Sequence, residues 1–166
     1  IKAVSSPQIY APCPMQMFKS KEKSVPKIFS PNNPASFKEL ILPLSVKILD
    51  VARDNNVPTI FFPKNFNDGL KYINKDICDF VSIDWNLSLE YARDIVDNSV
   101  GIQGNMNPKT FYLEIDEIDK YLESLIDFGS KNTDWIFNLG HGFRPDIDHN
   151  KVKYVVDWIK NTNWKR

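Results

Sequence analysis

Cysteine is scarce: Cys13 and Cys78 stand far apart and outside any Cys-x-x-Cys spacing, which argues against a disulfide scaffold or a zinc knuckle and favours a reducing compartment. Excess charge of one sign is also lacking. Lysine plus arginine and aspartate plus glutamate number 21 each, so no long-range field draws the chain to nucleic acid or to an anionic membrane. No apolar run approaches the roughly 18 residues that a spanning helix needs. The opening Ile1-Lys2-Ala3-Val4 has neither the form of a signal peptide nor an initiator methionine, as expected of a processed or truncated chain. The commonest zinc-protease and serine-hydrolase signatures, His-Glu-x-x-His and Gly-x-Ser-x-Gly, do not occur. Partners must therefore be selected by a shaped site.

What is present is the composition of a globular domain. With 42% hydrophobic and 25% charged residues over 166 positions, the chain can bury about two-thirds of its unfolded surface. Short apolar runs at 15–18, 59–62, 80–83, 100–103 and 135–139 alternate with amphipathic stretches at 36–55, 67–75, 88–97, 115–128 and 150–159. That rhythm predicts βα units and a parallel sheet. Ser36 is the expected cap of the first helix, Pro43 its expected kink, and Gly129 the expected end of the helix over 115–128. Asp148 precedes Val152, Val155, Val156 and Ile159, spaced as one buried helix face. The proline-containing first 14 residues and the stretch 19–34 read as irregular and solvated.

In a parallel α/β fold, functional residues gather just past the carboxyl ends of the strands. Those positions are Ser20, Lys64, Asp84 with Trp85, Asn105 and His141. His141 lies between Gly140 and Gly142, which leaves the backbone free to turn sharply and a ligand free to approach; a structural role for the ring fits the sequence equally well. Asp84 reads as a cap for the next helix ahead of a catalytic carboxylate, since no second carboxylate stands at a matched position. Trp85 reads as core before cofactor platform, and His149 as a surface residue. The run Gly101-Ile102-Gln103-Gly104 lacks the glycine spacing of a dinucleotide fingerprint.

Five segments, in order, resemble the carboxy-terminal half of the uroporphyrinogen decarboxylase family. They are Gln16-Met17-Phe18-Lys19-Ser20, Phe61-Phe62-Pro63-Lys64, Ile83-Asp84-Trp85, Gln103-Gly104-Asn105-Met106-Asn107-Pro108, and Asn138-Leu139-Gly140-His141-Gly142 with Pro145. The resemblance implies a (β/α)8 barrel to which this chain supplies about the last five βα units, with residues 1–14 an irregular segment and 15–166 part of the barrel domain. It further implies decarboxylation of the four acetates of uroporphyrinogen to give coproporphyrinogen, with no metal or organic cofactor. Phe18 and Phe62 would pack on the macrocycle, and Ser20 and His141 would hydrogen-bond carboxylates, His141 being the candidate catalytic residue. The family's aspartate that gathers the pyrrole N–H groups, its paired arginines and its tyrosine would lie upstream. A homodimer in the cytosol or a plastid, without nucleic acid or membrane, is the expected setting. Two departures stand out: Lys21-Glu22-Lys23 replaces a family Ala-Gly, and Asn107 replaces an aspartate. Competing expectations are a zinc-dependent methyltransferase of the same superfamily, which needs His and Cys ligands, and a non-catalytic half-barrel that binds without turnover.

Overall fold

The structure, a computed structural model, describes residues 34–164. It contains an all-parallel sheet ordered β1-β2-β3-β4, formed by Ile60–Phe61, Phe80–Ser82, Gly101–Met106 and Trp135–Leu139. The four later expected strands are therefore strands of one sheet. The run at 15–18, with Cys13, Phe18, Ser20 and the irregular segment 1–14, lies outside the described residues.

Parallel neighbours need crossovers, and the helices supply them. A single α-turn, α1 (Pro34–Ser36), leads through a π-helical turn (Phe37–Ile41) into α2 (Leu42–Arg53), which precedes β1. A 3-10 helix (Asn67–Tyr72) joins β1 to β2, and α3 (Leu89–Ile95) joins β2 to β3. A second 3-10 helix (Pro108–Tyr112), α4 (Ile115–Ser124) and α5 (Ile126–Lys131) join β3 to β4, after which α6 (His149–Asn161) follows.

All six residues of β3 are buried, as in a strand covered on both faces, which is why its sequence shows no polar alternation toward solvent. Val81, Ile102 and Met106 meet Ile118 and Leu122 of α4 in one core with Val155 of α6. Ile118 and Leu122 have no exposed surface, and their burial contributes on the order of 2 kcal/mol each. Ser88 caps α3 by accepting from the Tyr91 amide at 3.2 Å, and Asp148 caps α6 by accepting from the Asn150 amide at 2.8 Å.

Several local expectations are corrected. Ser36 has helical backbone angles and makes no cap bond, because the helical path begins at Pro34. The disturbance tied to Pro43 takes the form of the π-turn ahead of it: the Leu42 amide reaches back to the Phe37 carbonyl, and the helical path continues through the proline, which has no donor to offer. The expected helix over 115–128 breaks at Leu125, and Gly129 lies inside α5 instead of ending a helix. A Cβ on Gly129 would stand 2.5 Å from the Trp164 ring, so packing explains that glycine. Of the expected helix over 67–75 only Asn67–Tyr72 is helical, as a 3-10 helix, and Val156 is exposed although Val155 is buried.

Among the described residues β1 pairs only with β2 and β4 only with β3. On α2, Leu44, Ile48 and Val51 are 60%, 73% and 66% exposed, an apolar stripe at i, i+4 and i+7 turned away from the buried Leu42. No helix among the described residues is long and apolar enough to cross a membrane.

Candidate active site

Because the strands are parallel, their carboxyl ends share one rim, and the loops after β2, β3 and β4 meet there. Asp84 is the first anchor. It is 2% exposed; one carboxylate oxygen accepts from the Asn65 amide at 3.0 Å and the other from the Asn86 amide at 2.9 Å. The cap of α3 belongs to Ser88, so Asp84 does not cap that helix; it ties the loop after β1 to the loop after β2.

Asn105 is the second anchor. The sequence placed it past the end of a strand, but β3 continues to Met106 and Asn105 is part of it. Its side-chain amide donates to the Asp84 carbonyl at 2.9 Å and also to the Leu87 carbonyl. The preceding Gly104 has φ +142°, and a Cβ there would lie 2.9 Å from the Ile83 carbonyl oxygen, so only glycine fits this bend.

The loop after β4 closes on these two. The Gly140 amide donates to the Met106 carbonyl at 2.9 Å, and a Cβ on Gly140 would fall 2.4 Å from the Trp85 nitrogen. Gly140 is thus required by the approach of a neighbouring loop and not by a left-handed turn, while a Cβ on Gly142 would meet nothing within 4 Å. With Gly140 in place, the His141 ring stands edge-on to Trp85, centroids 5.8 Å apart. Trp85 is 37% exposed, which corrects the expectation of a core tryptophan.

Trp85, Pro108, Lys109, His141, Gly142 and Arg144 line a cavity of about 230 Å³. Asn107 shapes one wall by accepting from the Lys109 amide at 3.0 Å, a cap that the aspartate it replaces could make equally well. The other wall is held by the Tyr112 hydroxyl, which donates to Asp146 at 2.8 Å, and by Phe111 packed 5.6 Å from Phe143. The Tyr112 hydrogen bond keeps the Asp146 carboxyl below its ordinary range. Phe62, just past β1, is 39% exposed on the same rim but does not line this cavity; Lys64 follows it, also exposed. His149 opens α6 at the surface. Neither Lys109 nor Arg144 is singled out by its position in the sequence, because both come from loops whose proximity depends on β3 pairing with β4.

Sheet, crossovers and a functional rim define a segment of a (β/α)8 barrel. The uroporphyrinogen decarboxylase (URO-D) family model matches residues 14–162. The chain is 37% identical over 108 residues to uroporphyrinogen decarboxylase of Vesicomyosocius okutanii, covering 65% of this chain and 31% of that protein. It is 32% identical over 113 residues to the enzyme of Wigglesworthia glossinidia brevipalpis (68% and 31%) and 34% identical over 119 residues to that of Hydrogenovibrio crunogenus (69% and 34%). The chain belongs to the uroporphyrinogen decarboxylase family. It spans about a third of the length of the curated relatives it matches.

Proposed function

We propose that the full-length protein decarboxylates the four acetate side chains of uroporphyrinogen III to give coproporphyrinogen III, and that this chain is the carboxy-terminal part of its barrel. The observation that carries the reading is the family match across residues 14–162, with His141, Trp85 and Asn105 gathered on the rim where barrels place their chemistry. At each acetate the bond between the side-chain carbon and the carboxylate breaks, carbon dioxide leaves, and a proton takes its place. The protonated pyrrole holds the electron pair in between, so neither metal nor cofactor is required and the protein's work is to bind, orient and protonate.

In this reading His141 holds a substrate carboxylate through a ring N–H, which the imidazole offers whether neutral or protonated. Phe62 packs against the macrocycle; by the family resemblance Phe18 shares that role and Ser20 hydrogen-bonds a carboxylate, both outside the described residues. Among the described residues β1 and β4 each pair on one side only and α2 bears an exposed apolar stripe, as expected of a barrel segment where further βα units pack. A homodimer in a reducing compartment, cytosol or plastid, is the accompanying expectation.

The methyltransferase alternative is disfavoured by Cys78. It lies just before β2, at the amino end of the sheet and opposite His141, away from the rim where a catalytic zinc would stand.

The test is turnover of uroporphyrinogen by the full-length protein, with products separated by carboxylate number. Seven-, six-, five- and four-carboxylate products are expected from the full-length protein and none from the isolated chain. A full-length protein that leaves uroporphyrinogen unchanged removes the proposed activity, and turnover by the isolated chain removes the need for the upstream groups.

A further inference from the structure

We propose that Lys109 and Arg144 form a carboxylate-reading pair at the mouth of the His141 cavity, a specificity device for the polyanionic substrate; this rests on the decarboxylase reading above. Both residues line the same cavity of about 230 Å³, one from the loop after β3 and the other from the loop after β4. Lys109 is exposed, its backbone is fixed by the Asn107 cap, and among the described residues its ammonium has no carboxylate partner. Among the described residues Arg144 has one ion-pair partner, Asp146, and its Nε is 4.0 Å from the carboxylate, at the outer limit of an ion pair. Asp146 is already engaged by the Tyr112 hydroxyl at 2.8 Å. The guanidinium is therefore left with most of its donors free for a planar anion.

The remainder of the wall is Trp85, Pro108 and the His141 ring, apolar or flat surfaces suited to the side of a ring bearing carboxylates. Elsewhere among the described residues, Lys131 pairs with Asp127 at 2.6 Å and Lys153 with Asp157, while other exposed lysines such as Lys47 and Lys120 have no ion pair; what sets Lys109 apart is its place on the cavity wall beside His141 and Arg144. Cations without close partners, beside a cavity and a histidine, fit a ligand with several carboxylates better than a neutral one. Because the pair stands at the mouth, it would respond to the number of carboxylates as well as to their presence.

The experiment measures binding of uroporphyrin, with eight carboxylates, and coproporphyrin, with four, to the full-length protein by fluorescence. Lys109→Gln, Arg144→Gln and the double variant are compared with the wild type at low and high salt. Lys131→Gln, on the opposite rim, is the control. Each single substitution is expected to raise the uroporphyrin Kd about three- to tenfold, with a smaller change for coproporphyrin and a weaker salt dependence in the double variant. Both side chains are exposed, so folding should be retained, which circular dichroism checks. The proposal is overturned if the double variant binds uroporphyrin within twofold of the wild type, if its effect equals that of Lys131→Gln, or if the wild type does not bind uroporphyrin. Loss of uroporphyrin binding in the variants, in a protein that leaves uroporphyrinogen unchanged, would keep the carboxylate pair and remove the decarboxylase reading. Turnover with neutral variants would do the opposite.

Discussion

Replacing Asp84 by asparagine separates two jobs that a buried carboxylate on an active rim could do. The side chain keeps its size, but one acceptor oxygen becomes an NH2 group facing either the Asn65 or the Asn86 amide, both of which donate to it now at 3.0 and 2.9 Å. One charge-assisted hydrogen bond is lost, worth about 1.5–3 kcal/mol, and a donor is set against a donor at a site only 2% exposed. A total cost of about 2–4 kcal/mol follows, and at about 1–1.5 °C per kcal/mol for a chain the length of the matched relatives the Tm should fall by roughly 2–6 °C. Differential scanning fluorimetry of the full-length protein measures this directly. Trp85 is covalently next to Asp84 and contacts His141, so turnover at temperatures below the lowered transition should fall only in step with the displaced loop. An Asp84→Asn protein with unchanged Tm and no turnover would refute this account and make Asp84 a participant in the chemistry.

Three further outcomes are expected. Gly140→Ala should destabilise by about 1–3 kcal/mol, because its Cβ would sit 2.4 Å from the Trp85 nitrogen, while Gly142→Ala, with open space around it, should stay within about 0.5 kcal/mol in the same melting assay. His141→Asn, which keeps a donor, should lower turnover roughly five- to hundredfold and shift the build-up of partly decarboxylated products; complete loss with normal folding and binding would favour acid–base catalysis by His141. Asp79 accepts from the Lys75 ammonium at 2.7 Å and from the Thr59 amide at 2.8 Å, which together hold its carboxyl at about 2, below the ordinary 3.8. Its contribution is therefore complete above about pH 4 and is lost as pH falls toward 2; screening around the exposed Lys75 keeps it to about 1–2 kcal/mol, so the stability gap between wild type and Asp79→Asn should close in acid melts.

The sequence by itself determined the class of fold and most of the rim. Short apolar runs alternating with amphipathic stretches predict parallel βα units, and parallel strands put the residues that follow them on one edge, which groups Asp84 and His141; Asn105 joins them from inside β3. The Asn138–Leu139–Gly140–His141–Gly142 run marked the family for the same reason, since its residues are adjacent in the chain. Tertiary structure decided what depends on contacts between distant segments. Gly140 is needed because Trp85 approaches from another loop, Asp84 bridges two loops instead of capping a helix, and Gly129 makes room for Trp164. Lys109 and Arg144 become neighbours of one cavity only when β3 and β4 pair. Local periodicity reports which face a residue presents, because that is set by backbone repeat alone; it carries no distance between segments, because only the packed sheet sets which loops meet.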